Sequence, residues 1–509
     1  MNKEQILEKV IKPIEDKGFK AYFVGGCVRD KLMGIEPHDF DICTNASPLD
    51  LHKVFDKFSN VSENSEKYGV TMPLINIDGN VEQIEIATFR KDKTSGRHPE
   101  VAFSNSIEED AKRRDFTINA LYEDSNGKIL DPTGNGLTDI KNRKLRFVGS
   151  AYCRILEDPL RAFRFIRFLS TKGFRSAHTF AEMRIACESI VPFSKKEISV
   201  ERRLKEIEQI FAGKYFMDDD VQKFLRLTGV SGIIGIDDVE CVLSLVEQSW
   251  KWHSEGAVFE DKNGISHLIK DNNSELDLKN WKPIKHGTAW DHTVYVMKNM
   301  NEICWSDVAP NFDEHTRFKL MMAAMLHDIG KGLSSLGSKT NEFEINGVRY
   351  TETIPIVHDH AEVGFPTAAG FCKDLGMCND DIHFVSELVR LHMRAHQLAS
   401  VKSKYKIMKL TTHPYFKELV LLSKADENGC VKIVDDEWPG IVAALETEKV
   451  KECLIMEMPK PILTGDYLIE KGEKPSPLFR KKLEKALQFQ IDEDIEDKEE
   501  LYKKVKGIK

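Results

Sequence analysis

Asp39 and Asp41 stand two apart in the short alternating segment Asp39-Phe40-Asp41-Ile42. On an extended chain the two-residue period points both carboxylates to one face, a few ångströms apart, and two like charges so placed invite a divalent cation. Mg²⁺ held by one or two carboxylates together with phosphate oxygens is the usual arrangement for nucleotidyl transfer. A solvated turn or a cap uses the same residue types, so the pair alone leaves both readings open. Upstream, Gly25-Gly26 and Arg29 add to the first reading: glycines let backbone N–H groups approach a triphosphate, and a guanidinium neutralises it. A strand-to-helix turn that needs glycine is the alternative. Glu85, between Ile84 and Ile86, points away from those apolar neighbours and offers a third carboxylate.

A second constellation lies far downstream. Leu326-His327-Asp328-Ile-Gly-Lys-Gly332 puts an imidazole and a carboxylate side by side at the end of an apolar helix, a grip for one hard or borderline cation. It is flanked by Asp291-His292-Thr293, by His358-Asp-His360, His392 and His396, and by Lys424-Ala-Asp426. His286 competes with His292, but His292 shares a helical pattern with Val296 and Met300.

Between the two sets, Asp158 and Arg161 are three apart, which on a helix gives them one face, and Arg164 and Arg167 extend the stripe. A carboxylate accepts from the exocyclic amine of cytosine or adenine while a guanidinium donates to the ring acceptors; uracil and guanine oppose that pattern. Each wrong polar pairing in a desolvated pocket costs on the order of 1 to 3 kcal/mol. Asp158 before Pro159 also fits an N-cap followed by a first-turn proline, and both readings compete for one carboxylate.

These residues need a scaffold, and the chain is long enough for one. At roughly 100 to 200 residues per domain, 509 residues predict about three or four domains. Apolar residues at 41% and charged residues at 30% exclude a disordered or fibrous chain. No apolar run is long enough for a membrane span and the start lacks the core of a secretion signal, so a cytoplasmic protein with no membrane partner is expected. The 10 cysteines include no C-x-x-C pair, which argues for reduced thiols rather than a zinc knuckle. The net charge of −9 excludes global coating of nucleic acid. From Lys141 to Arg175, however, ten Lys/Arg face two acids, Glu157 and Asp158, a balance of +8 where a polyanion could dock.

The fold class read from pattern is α+β. Helix 3–17, strand Ala21–Val24, a glycine turn and a helix from Val28 to Met33 lead to a helix capped near Asn45 or Ser47. Two strands, 71–77 and 81–89, join at Asp78-Gly79-Asn80. Lys91 to Pro99 has loop composition, and the chain then reads as helical to about 250. A polar linker or insertion covers 254–285, a second helical block runs from Trp290 to about 450 with a loop at 332–357, and the tail carries one helix and an acidic run.

Val24-Gly-Gly-Cys-Val-Arg-Asp-Lys-Leu-Met-Gly34, with Asp39-Phe-Asp-Ile-Cys-Thr44, resembles the signature of the CCA-adding enzyme and poly(A) polymerase superfamily. The resemblance continues through Arg97-His-Pro99, Ile107 to Leu121, Asp131-Pro-Thr-Gly134 with Asp139, and Glu157 to Phe168, covering about residues 20 to 210. It implies a nucleotidyltransferase head with a mixed β-sheet, helical neck, body and tail, and completion of the tRNA 3′ end from CTP and ATP. In it Asp39 and Asp41 would hold Mg²⁺, Gly25, Gly26 and Arg29 would meet the triphosphate, Arg114, Asp115 and Asn119 would help bind the ribonucleotide, and Asp158 and Arg161 would read the base. Glu201 to Glu206 resembles the family's later helix motif, a salt-bridged scaffold around that pocket. The second constellation is similar to the HD phosphohydrolases, with His292, His327, Asp328 and Asp426 where that family's ligands to Mg²⁺ or a divalent transition metal would be. His358, His360, His392 and His396 would then be phosphate-facing or structural. HD domains of this kind imply 2′,3′-cyclic phosphodiesterase, 2′-nucleotidase or phosphatase activity.

The expected division is a head over 1–150, a helical neck and body over 151–253, a linker over 254–285, an HD domain over 286–450 and a tail over 451–509. Three competing functions share these motifs: a poly(A) polymerase or an enzyme adding only CC or only A, an HD phosphohydrolase whose head merely binds RNA, and a noncatalytic RNA-binding protein.

Overall fold

The computed structural model describes residues 2–37, 39–59, 67–77, 79–92, 101–244, 247–248, 257–260, 266–269, 282–283, 287–306, 312–333, 336–345, 348–357, 359–428 and 440–508. They form two compact units, Met1–Ile234 and Gly235–Lys509.

The first unit opens with a helical stretch, α1, over residues 3–16, which turns its apolar side inward through Ile6, Val10, Ile11 and Ile14. Strand β1 (Ala21–Val24) follows, then α2 (Gly26–Leu32), β2 (Asp41–Thr44) and α3 (Pro48–Val54). The start of α3 is fixed by a reciprocal capping box between Ser47 and Asp50, with Pro48 in the first turn. The next strands are β3 (Val70–Thr71), β4 (Leu74–Ile77), β5 (Asn80–Gln83) and β6 (Ile86–Thr88). The expected hairpin forms between β4 and β5. The long second strand read from sequence is divided, because the chain leaves the hairpin at Ile84-Glu85 and β6 enters the main sheet beside β2.

Short strands appear where the sequence reads as helical, among them β9 (Tyr122–Glu123) and β10 (Ile129–Leu130), which follow the short pair β7 (Arg90–Asp92) and β8 (Val101–Phe103). Two-residue strands carry no alternation to read; sheet pairing creates them. The six-stranded sheet runs β10-β9-β1-β2-β6-β3, and β2 with β6 is its parallel pair. Val24, Cys43, Phe89, Ala111, Ala120, Tyr122 and Val148 form a core on one face.

Beyond the sheet come α4 (Ile107–Lys112), α5 (Gly136–Lys141), α6 (Ala151–Glu157), α7 (Leu160–Lys172), α8 (Phe180–Cys187), α9 (Val200–Ala212) and α10 (Asp219–Leu227). Helix α7 buries Ala162, Phe163, Phe165, Ile166, Phe168 and Leu169 and turns Arg161, Arg164 and Arg167 the other way. Its phenylalanines join a ring cluster: Phe147 stacks on Phe165 at 5.6 Å, and Phe116 meets Phe147 at 4.8 Å and Phe168 at 5.4 Å.

In the second unit, helices Ala289–Trp305, Glu314–Leu326, His360–Leu375, Asn379–His396 and Phe416–Asn428 pack together. Where a polar linker and a loop are expected, the backbone forms a small antiparallel sheet (Ala257–Glu260, Ser266–Ile269, Lys282–Pro283) and a ten-residue hairpin pair, Leu336–Ile345 with Val348–Val357. The tail holds three helices rather than one, Gly465–Glu470, Leu478–Asp492 and Lys498–Val505; part of its acidic run caps the last, through Asp497. Among the described residues no helix is long and apolar enough to cross a membrane.

Candidate functional sites

Strand β2 begins at Asp41, so Asp39 lies in the bend before it rather than on the strand itself. Ile42 pairs with Ile86 in the parallel register, which sets Glu85 beside Asp41 on the same face of the sheet. Asp41 feels Asp39, and Glu85 feels Asp41. Packed protein around the Asp41 carboxyl raises its pKa, and Asp39 raises it further, while Arg114 and Arg29 pull it down. Glu85 is raised by desolvation and by Asp41. Oxygen donors that repel one another in this way fit a hard divalent cation such as Mg²⁺.

Gly25 closes against this cluster. Its φ of 75° is open to glycine, and a Cβ there would lie 3.4 Å from Asp41 Oδ2 and 3.6 Å from Arg114 Nη1. Arg29 is buried on α2, donates from Nη1 to Asn119 Oδ1 at 2.7 Å and from Nε to Asp30 at 2.9 Å, and lies over the Phe168 ring. Asn119 in turn donates to Asp115 Oδ1 at 3.1 Å, and Asp115 Oδ2 accepts from Arg164 Nε at 2.9 Å. Arg164, Asn119 and the Phe116 N–H hold the Asp115 carboxyl below its ordinary range despite burial. The structure thus links Arg29, Asn119, Asp115 and Arg164 in one chain of bonds, and Gly26 begins α2 beside it.

Sequence reasoning missed the anchor of Arg114. Asp110, fully buried, accepts from Arg114 Nη2 at 3.0 Å, Arg113 Nε at 2.8 Å and the Tyr122 hydroxyl at 2.8 Å. Its spacing of three and four residues from two arginines on a helix was the available signal.

The base-reading candidates meet only through the backbone, where the Arg161 N–H donates to the Asp158 carbonyl at 2.9 Å; their side chains bond elsewhere. Asp158 Oδ1 accepts from the Leu160 N–H at 3.2 Å and Oδ2 from Arg202 Nη2 at 2.8 Å. Arg161 donates through Nη1 to Glu157 at 2.5 Å and to the Arg154 carbonyl at 3.0 Å, and through Nη2 to the Arg113 carbonyl at 3.1 Å. Arg167 pairs with Glu206 at 3.1 Å. Much of the +8 stretch is therefore neutralised by acids outside it, since Asp115, Asp139 and Glu206 pair with Arg164, Arg146 and Arg167. Arg97-His98-Pro99 lies outside the described residues.

In the second unit His327 ends the helix Glu314–Leu326, and the turn after Asp328 packs tightly: a Cβ on Gly330 would come within 1.9 Å of the His360 carbonyl oxygen, so only glycine fits. All four expected ligands converge. His292 Nε2 lies 2.9 Å from Asp426 Oδ1 and 3.3 Å from His327 Nε2, which is 3.2 Å from Asp328 Oδ2. His360 and His392, read from sequence as phosphate-facing or structural, gather at the same aspartate: their Nε2 atoms are 3.3 Å apart and 3.4 and 3.6 Å from Asp328 Oδ1. The two triads, His292-His327-Asp328 and Asp328-His360-His392, are each tight enough to hold a metal ion. His327 Nδ1 lies 2.9 Å from the Ala324 carbonyl and His392 Nδ1 2.6 Å from that of Val389, so those nitrogens carry protons and the Nε2 lone pairs face inward. Burial lowers His360 to about 4 and also lowers His392, keeping both neutral. Asp328 stays well below its ordinary range despite burial because Lys331 and His327 face it. His327 is raised despite burial because Asp328 and Asp426 face it, so a metal there displaces a proton; imidazole nitrogens and ionised carboxylates together are the donor set of a divalent metal. His396 sits behind, with Nε2 2.6 Å from Asp426 Oδ2. His286 and His358 lie outside the described residues.

Residues 21–146 match the poly A polymerase head domain family, and residues 289–435 match the HD domain family. The chain is similar to the CCA-adding enzymes of Lactococcus lactis (43% identity over 213 residues, 41% of this chain and 50% of the relative) and Bacillus pumilus (39% over 209 residues, 40% and 49%). A longer match, 34% over 295 residues, covers 57% of this chain and 62% of the CCA-adding enzyme of Streptococcus pyogenes. The chain thus spans about half the length of the first two relatives. The fold is that of the Bacillus stearothermophilus CCA-adding enzyme solved in complex with CTP, at 21% identity and a TM-score of 0.60 over 99% of this chain and 98% of that one. The Thermotoga maritima CCA-adding enzyme complexed with tRNA gives 18% and 0.51 over 99% and 95%. The two matched stretches hold the two acidic centres described above.

Proposed function

We propose that the chain adds C, C and A to the 3′ end of tRNA from CTP and ATP without a nucleic-acid template, and that its HD domain is a metal-dependent phosphohydrolase. The observation that carries the first part is the parallel register that sets Glu85 beside Asp41, with Asp39 and the Gly25 turn against them. Mg²⁺ held by Asp39, Asp41 and Glu85 would supply charge neutralisation at the α-phosphate. Around it, Gly25 and Gly26 open backbone N–H groups to the triphosphate, Arg29 and Arg114 lend it positive potential, and Asp115, fixed by Arg164 and Asn119, takes the ribose. Asp158 and Arg161 read the base edge, and Arg164 and Arg167 continue the nucleotide-facing stripe of the same helix. The terminal tRNA hydroxyl oxygen then bonds to the α-phosphorus as the bond to pyrophosphate breaks. Relatives named CCA-adding enzymes support the choice among polymerases.

In the HD domain, Mg²⁺ or a divalent transition metal on His292, His327, Asp328 and Asp426 would supply an activated water for 2′,3′-cyclic phosphate or 2′-phosphate hydrolysis. His360 and His392 offer the same Asp328 a second cation. We place the protein in the cytoplasm, and retain the divisions at 150, 253, 285 and 450 as part of this proposal.

A tRNA lacking its terminal triplet, incubated with CTP, with ATP and with both, tests the reading. Two additions with CTP alone and three with both are expected; a long adenylate tail made in disregard of CTP would refute it.

A further inference from the structure

His396 is a buried imidazole that neither metal triad uses. It ends the helix Asn379–His396, and its ring meets the helix Phe416–Asn428 at Asp426 and Glu427. Its Nε2 lies 2.6 Å from Asp426 Oδ2, while Oδ1 of the same carboxylate lies 2.9 Å from His292 Nε2 and 3.9 Å from His327 Nε2. The two oxygens of Asp426 thus keep different company: one joins the His292-His327-Asp328 group, and the other meets His396. Burial raises the Asp426 carboxyl, but His396 and His292 outweigh it and hold the acid well below its ordinary range. Oδ2 therefore accepts, and the His396 Nε2–H donates.

The other side of the ring is anchored as well. His396 Nδ1 lies 3.3 Å from Glu427 Oε1, and Glu427 takes the Ile441 N–H on both oxygens, at 2.8 and 3.0 Å. Gly440 comes so close that a Cβ there would lie 2.6 Å from Glu427 Oε2. A chain of contacts runs from the start of the helix Ile441–Glu446 through Glu427 and His396 to Asp426. An unrestrained carboxylate turns about its last bond and offers a cation either oxygen or both, whereas one bonded through Oδ2 offers Oδ1.

We infer that His396 is a positioning residue for the HD metal centre, holding Asp426 so that Oδ1 is presented to a divalent cation on His292, His327 and Asp328. The inference rests on the proposed metal site.

The test titrates Mn²⁺ into the chelator-treated whole chain, by calorimetry and by EPR, for the unaltered protein, His396→Phe and His396→Gln. Phenylalanine keeps a ring where His396 meets His392 edge-on at 6.5 Å but removes the donor; glutamine returns an N–H. Losing an outer hydrogen-bond partner of a metal ligand costs about 10- to 100-fold in affinity, so the Kd of one Mn²⁺ should rise by that factor in His396→Phe and largely recover in His396→Gln. The group of Asp328, His360 and His392 does not include Asp426, and the Kd of its ion should stay as it was. Unchanged Mn²⁺ binding in His396→Phe would overturn the inference, as would equal weakening of both ions or no recovery in His396→Gln. Should His396→Phe not fold, Glu427→Ala decides: the ring loses its anchor, and an unchanged Kd there would overturn the inference equally. If the unaltered protein takes up no Mn²⁺, the metal reading falls, and the inference with it.

Discussion

Removing the charge of Asp110 reports on how the head domain holds Arg114 against its carboxylates. Asp110 has no exposed surface and accepts from two arginines and the Tyr122 hydroxyl. In Asp110→Asn one oxygen becomes an amide donor and must face a guanidinium or the phenol. Breaking a buried ion pair from one side costs about 3 to 5 kcal/mol. Arg113 and Arg114 keep 20% and 17% of their side-chain surface, so part of their charge is rehydrated and the lower end, about 3 kcal/mol, applies. For a unit of 234 residues, 1 kcal/mol corresponds to roughly 2 to 4 °C, which gives a melting temperature lower by about 6 to 12 °C for the transition of the first unit. Arg114 would retain its 3.4 Å bond to the Asn119 carbonyl but lose the acid that orients it, so KM for CTP and ATP should rise as well. The pH dependence carries a sign. The Asp110 pKa is lowered in the fold, because the two arginines and Tyr122 outweigh burial, so its stabilisation is present above the unfolded value near 4 and lost as pH falls through the folded one. Scanning calorimetry of the full chain between pH 3 and 7 should therefore show the wild-type advantage shrinking toward acid. A change below about 2 °C at neutral pH, or an advantage that grows on acidification, would refute the reasoning.

Other outcomes follow from the same contacts. Asp41→Ala should abolish nucleotide addition while leaving HD phosphohydrolysis, and continued tRNA extension would remove Asp41 from the metal assignment. Because Asp41 and Glu85 are both raised, Mg²⁺ affinity measured by titration calorimetry should begin to fall at a higher pH than for ordinary carboxylates, and Glu85→Gln should move that acid limb downward. Phe165→Ala, which empties the stacked ring position beneath Phe147, should cost about 3 to 5 kcal/mol in urea unfolding. Divalent metal at 100 times its Kd should stabilise the second unit by about 2.7 kcal/mol, and His392→Ala should lower the bound-metal count of the HD domain from two to one.

The sequence carries the acids, glycines and histidines legibly because their chemistry resides in residue type and local spacing. Asp39, Asp41, His327 and Asp328 are each visible within a few positions. Less visible is whatever depends on a partner distant in the chain. Glu85 gains its place from the parallel register with β2, and Tyr122-Glu123 become a strand because β1 and β10 lie on either side of them. His360 and His392 look isolated in sequence; helix packing brings their rings to one aspartate. Arg161 and Asp158 share a helical spacing, yet the break between α6 and α7 sends each to another partner, Glu157 and Arg202.

The parallel pairing of β2 with β6 has a consequence for engineering. Everything between the two strands, residues 45–85, is an excursion whose ends are pinned by the Ile42 to Ile86 register. Added length at the hairpin tip near Gly79 leaves the register untouched, so an epitope or fluorophore-bearing peptide placed there should be silent. A single residue inserted between Glu85 and Ile86 would rotate Glu85 to the opposite face and separate it from Asp41. The same segment thus holds a tolerant address and an intolerant one within ten residues, and a scanning insertion library would map the boundary of the acidic centre without altering any of its side chains.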